Sequence, residues 1–211
     1  LKVVVAKYFT YLTYKNHLCI LEVMKNLTYS ILKLPQTVFS AREIALILGE
    51  TNHDIVKSKI NYYVKRGEIV ALRRGIYSKD PKFNEFELAT KIYTPSYVSF
   101  ETVLSKHNVV FQYDTSVHVA SYVTREIEIG NIKIYYKKVK LDILNNPLGV
   151  MYENNYPEAT IERAFLDTIY IYGKRHFDNL GPIDFEKCDS MLSIYQNVIT
   201  KKDLKSYAQH K

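Results

Sequence analysis

The period of apolar and polar positions changes along the chain, and the changes mark out its elements. Residues 26–33 read as a short helix that stops before Pro35, where helical backbone is disfavoured. Ser40-Ala41-Arg42-Glu43 reads as a capping box, in which hydroxyl and carboxylate each satisfy an amide of the helix start. Ile44, Leu46, Ile47 and Leu48 follow, and Gly49 supplies the stop. Thr51-Asn52-His53-Asp54 opens a second helix, which runs to Arg66 and ends at Gly67. Residues 68–72 have strand character, Arg73-Arg74-Gly75 is a turn, and Ile76-Tyr77-Ser78 returns.

Asp80-Pro81-Lys82 marks a boundary. Beyond it, Asn84-Glu85-Phe86-Glu87 opens a helix that ends before Pro95, and Ser99 is expected to cap a short helix over 100–107. Residues 116–123 alternate as a strand. The runs 125–129 and 132–136 flank Gly130-Asn131, a two-residue hairpin signal. Residues 148–152 are a further strand candidate. Thr160 caps a helix over 161–172 with the stripe Ile161, Phe165, Ile169 and Tyr172, and Arg163 and Asp167 form an i,i+4 pair on its other side. Two more helices follow Pro182, the last capped by Thr200. The expected fold class is α+β. A winged helix-turn-helix over 24–82 precedes a mixed α+β domain over 83–211, with an antiparallel sheet and C-terminal helices.

The second helix carries the most informative chemistry. Val56, Ile60, Tyr63 and Val64 share one face and are expected to anchor it to the helices before it. His53, Lys57, Asn61 and Lys65, spaced four apart, share the opposite face. Side chains that donate hydrogen bonds or carry positive charge suit base edges and phosphates in a major groove. Arg73 and Arg74 at the ribbon tip suit an adjacent phosphate or the minor groove. Tyr77 either bonds a phosphate or packs. The expected DNA-binding set is therefore His53, Lys57, Asn61, Lys65, Arg73, Arg74 and Tyr77, and the expected partner is double-stranded DNA.

Charge strengthens this reading. The chain of 211 residues has a formal net charge of +7. From Lys57 to Lys82, eight Lys/Arg face only Glu68 and Asp80, so that one window holds +6. An excess so concentrated points to an anionic partner. Cys19 and Cys188 lie far apart without CxxC spacing, as in a reduced cytoplasmic protein. No apolar run is long enough to span a membrane, and the first residues do not read as a signal peptide. Met24 opens the segment that flows into the first helix, so residues 1–23 read as an upstream extension or an extra helix.

Enzyme readings find less support. The six histidines are scattered and match no metal-ligand spacing, and no GxSxG or P-loop is present. No cofactor, metal or catalytic residue is expected. Glu126, Glu128 and Lys133 on the hairpin have the residue types of a metal-dependent nuclease, but such alternation also makes cross-strand ion pairs. A module that binds only protein is the third reading.

Four segments together resemble the AbiEi family, antitoxins of type IV abortive-infection toxin–antitoxin systems. They are Thr37-Val38-Phe39-Ser40, Leu72-Arg73-Arg74-Gly75-Ile76-Tyr77, Pro95-Ser96-Tyr97-Val98-Ser99-Phe100-Glu101 and Ile161-Glu162-Arg163-Ala164-Phe165-Leu166-Asp167. The resemblance spans residues 37–172. It departs from the family pattern at Ile161, where proline is usual, and at Phe165, where leucine is usual. It implies a bacterial repressor that binds its own promoter, with a second domain that counters a nucleotidyltransferase-like toxin. In that domain the run Tyr135-Tyr136-Lys137-Lys138 is the expected partner surface or an extension of the DNA footprint.

Overall fold

The computed structural model describes residues 27–111 and 114–209. The proposed extension over 1–23 lies outside them. The chain divides into two compact units between Phe83 and Asn84.

The first unit runs α1 (Leu27–Leu32), β1 (Val38–Ser40), α2 (Ala41–Leu48), α3 (His53–Lys65), β2 (Val70–Arg73) and β3 (Ile76–Ser78). The three strands form one antiparallel sheet in the order β1-β3-β2. Its core is Leu27, Ile31, Phe39, Ile44, Val56, Ile60 and Ile69, so every helix contributes at least one buried side chain. The Ser40 hydroxyl accepts from the Glu43 amide, while the Glu43 carboxylate accepts from the Ser40 amide at 2.7 Å. Gly49 closes α2 in the left-handed conformation at φ 61, which glycine adopts without Cβ strain.

The second unit runs α4 (Glu85–Ile92), β4 (Ser96–Val98), α5 (Phe100–Lys106), β5 (Val117–Ser121), β6 (Arg125–Ile129), β7 (Ile132–Lys138), α6 (Leu141–Leu144), β8 (Val150–Met151), β9 (Glu158–Ala159), α7 (Ile161–Tyr172), α8 (Phe185–Met191), a 3₁₀ turn (Leu192–Tyr195) and α9 (Lys201–Ala208). Its strands form one six-stranded sheet, β6-β7-β5-β4-β9-β8. The molecule is thus mixed α+β.

The sheet corrects one expectation. It is mixed rather than antiparallel, because β5 pairs in parallel with β7 and β4 with β9. After β5 the chain passes over one strand position to lay down β6 at the edge. The Gly130-Asn131 hairpin then folds β7 back into the gap beside β5. The local signal identified that hairpin but not the non-local parallel pairing. The segment expected to alternate at 116–123 is shorter, and all five residues of β5 are buried. A strand covered on both faces need not alternate.

A buried polar knot sits in this unit. Arg163 and Asp167 of α7 are both 0% exposed, rather than a pair on an outer helix face. The Arg163 guanidinium donates to Asp167 (3.3 Å), to the Leu148 carbonyl (2.6 Å), to the Ile143 carbonyl (2.7 Å) and to the Tyr97 hydroxyl (2.9 Å). The Asp167 carboxylate also accepts from Tyr97 (3.0 Å), Ser99 (2.8 Å) and Tyr195 (2.8 Å). Ser99 stands before α5, but its hydroxyl makes no cap bond because it is committed to Asp167. Burial disfavours the Arg163 charge, yet Asp167 beside it holds the guanidinium above its ordinary range. Burial holds the Asp167 carboxyl above its ordinary range, against the lowering pull of Arg163 and the three hydroxyls. Every bond to Asp167 comes from a donor, so the ionised form is the one this site accommodates.

Candidate nucleic-acid interface

Helix α3 is fixed at its start. Asn52 Oδ1 accepts from the Asp54 amide at 2.9 Å and the Ile55 amide at 3.3 Å. Between α2 and α3, Glu50 accepts from the Thr51 and Asn52 amides at 3.1 and 3.2 Å and from Lys59 Nζ at 3.2 Å. Those bonds hold the Glu50 carboxyl below its usual range, the Asn52 amide contributing most. Along α3, Val56 and Ile60 are buried, and Tyr63 and Val64 pack against the same core. The rotation of the helix is therefore set by its apolar face.

The stripe that the sequence marks flanks this face rather than lying opposite it, because at about 100° per residue its centre is turned roughly 95° from that of the apolar set. His53, Lys57, Asn61 and Lys65 are all exposed. The stripe rises about 18 Å along the helix axis, from a rise of about 1.5 Å per residue. Among the described residues none of the four side chains makes a hydrogen bond or ion pair with the rest of the unit. Three neighbouring cations behave differently. Lys59 is held by Glu50, Arg66 bonds Glu68 and the Tyr62 hydroxyl, and Lys79 donates to the Leu34 carbonyl at 3.0 Å. Basic residues that support the fold are thus separate from those that face outward with their charge uncommitted.

The β2–β3 hairpin carries the second set. Arg73 ends β2 opposite Ile76, Arg74 and Gly75 make the turn, and a bulge lies between Ala71 and Arg73. Gly75 has φ 79, a conformation that side chains with a Cβ resist. Arg73 and Arg74 are exposed and, among the described residues, carry no ion pair. Tyr77 sits in mid-strand, partly buried against the first unit's core, which is the packing alternative for that residue.

In the second unit the hairpin residues are arranged as follows. Glu128 lies directly opposite Lys133, and Glu126 opposite Tyr135. Among the described residues, no group of three or more His, Cys, Asp or Glu is placed to hold a metal. Tyr136 is buried and donates to the Ala89 carbonyl at 2.7 Å, so it is not part of an outer surface. Tyr135 stacks on His118, and Lys138 is exposed. Burial pushes the Cys188 thiol up to about 12, which leaves it protonated and unreactive near neutral pH.

A cluster not foreseen from the sequence surrounds His118. Its Nε2 lies 2.9 Å from Asp114 and its Nδ1 3.5 Å from Glu101, which in turn takes Arg175 at 2.8 Å. The His118 hydrogen bond pulls the Asp114 carboxyl from the ordinary 3.8 down to about 2. A depressed folded-state value means stabilisation that is fully present above the ordinary value and lost as pH falls through about 2. Asp114→Asn should therefore lower the unfolding midpoint at pH 6 and approach the native protein's behaviour toward pH 2. An NMR titration placing the Asp114 carboxyl at its ordinary value would contradict this.

Compared with protein-family models and with curated proteins, the chain gives no match.

Proposed function

We propose that residues 24–82 form a winged helix-turn-helix that binds double-stranded DNA, and that the protein is a transcriptional repressor of its own promoter. The observation that carries this reading is the uncommitted stripe His53, Lys57, Asn61 and Lys65 on the outer face of α3. The order of helix, strand, two helices and ribbon supports it, as does the four-residue turn with Gly49 between α2 and α3. In this reading α3 lies in the major groove, and Arg73 and Arg74 reach the flanking backbone or the minor groove. Packing of the partly buried Tyr77 against the core makes it a support of the hairpin. The protein then works in the cytoplasm, where its DNA is.

From the resemblance to AbiEi-like antitoxins we further propose that the second unit counters a nucleotidyltransferase-like toxin. A reporter gene placed behind the protein's own upstream DNA tests the repressor role. Repression by the wild type and its loss in Lys57→Ala/Asn61→Ala is the expected result, and equal expression with and without the protein would refute it. Rescue of cells from the product of a neighbouring nucleotidyltransferase gene tests the antitoxin role.

A further inference from the structure

Arg42 lies outside the stripe on α3 and outside the hairpin, yet the backbone ties it to the hairpin turn. It is the second residue of α2 and is exposed. Its neighbour Ala41 donates its amide to the carbonyl of Gly75 in the hairpin turn at 2.8 Å. One residue further back, Ser40 pairs with Ile76 at the end of the sheet. Arg42 and Arg74 are therefore each one residue away from the same hydrogen bond, and Arg73 is paired with Ile76 across the turn. Three exposed arginines from two separate chain segments are thus tied through the backbone to one hairpin turn.

Among the described residues Arg42, Arg73 and Arg74 make no ion pair. The closest acid in sequence is Glu43, whose carboxylate is taken up by the Ser40 amide and hydroxyl at 2.7 and 2.8 Å. Like charges brought close without an ion pair repel one another, and an anion bound among them relieves that cost. The Ala41–Gly75 bond ties the turn to a capped helix, so the cluster is held in place rather than borne on a loose loop.

We infer that Arg42, Arg73 and Arg74 form one clamp for the phosphate backbone of duplex DNA, in the same unit as the groove-reading face of α3. This assignment rests on the DNA-binding reading above and adds an interaction that reads charge, not sequence. Arg42 can reach the backbone from the start of α2 while the other two reach it from the turn.

The test is a salt titration of binding by the full chain, on its own upstream duplex and on a random duplex of equal length. Arg42→Ala should weaken binding to both by a similar factor and flatten the plot of log affinity against log salt by about 0.9, the value for one phosphate no longer neutralised. Arg42→Lys should keep the slope. The thermal midpoint of Arg42→Ala should match the wild type, since the side chain is exposed. Wild-type binding with an unchanged affinity and slope in Arg42→Ala would overturn this assignment alone. A loss confined to the upstream duplex would also overturn it, because that is the mark of a base-reading side chain. A wild type that binds neither duplex would overturn the DNA reading and this clamp with it.

Discussion

Arg163→Ala will destabilise the second unit by about 3–5 kcal/mol, the range for removing one partner of a buried ion pair. The substitution leaves the Asp167 carboxylate fully buried, with three hydroxyl donors but no counter-charge. It also strips the Leu148 and Ile143 carbonyls of their donor. Asp167→Ala should cost a similar amount by stranding the guanidinium. Replacing both with apolar residues, as in Arg163→Met/Asp167→Leu, should cost less than the two single changes added together, because neither charge is then left alone. Hydrogen exchange of the α7 and β4 amides reports on this unit separately from the first. Protection changed by less than about 1 kcal/mol in Arg163→Ala would mean that the knot is not what fixes α7 against β4 and the 3₁₀ turn.

The second large effect is on DNA. Arg73→Ala/Arg74→Ala should weaken binding on every sequence and reduce the salt slope by about 1.8, from about 0.9 for each phosphate neutralised. Lys57→Ala/Asn61→Ala should act differently. It should remove preference for the upstream duplex, by about 1–3 kcal/mol for each base no longer read, and affect the random duplex less. The two variants separate the roles of helix and turn. If both flatten the slope equally and neither alters preference, α3 touches backbone only.

The elements of the first unit were legible because each rule that defines them is local. Ser40 and Glu43 sit three apart, Asn52 opens α3, and Gly49 stops α2, all within one helical turn of the event they cause. The two faces of α3 were legible for the same reason, since spacing alone separates Val56 and Ile60 from Lys57 and Asn61. What was not legible depended on distant partners. Arg163 and Asp167 read as an outer pair, yet α7 has apolar neighbours at Ala164, Phe165, Leu166 and Ile169, all buried. A helix apolar on nearly all sides is a buried helix, and that pattern was the available signal. Ser99 read as a helix cap because serine before a helix usually is one. Its competing partner lies 68 residues further along the chain. The His118 cluster draws on Glu101, Asp114 and Arg175, with nothing in their spacing to join them. Arg42 was hidden in the same way, visible as part of a capping box and placed beside the hairpin only by the Ala41–Gly75 bond.

Binding of duplex DNA by the outer face of α3 and the arginines at the hairpin turn is the central claim. Fluorescence anisotropy of labelled duplexes, titrated with the full chain over roughly 50–200 mM salt, tests it most directly. Tighter binding to the upstream duplex than to a random one is the predicted result, with log affinity falling linearly as log salt rises. Equal affinity for the two duplexes would contradict the repressor, and no binding to either at the lowest salt would contradict the DNA interface itself.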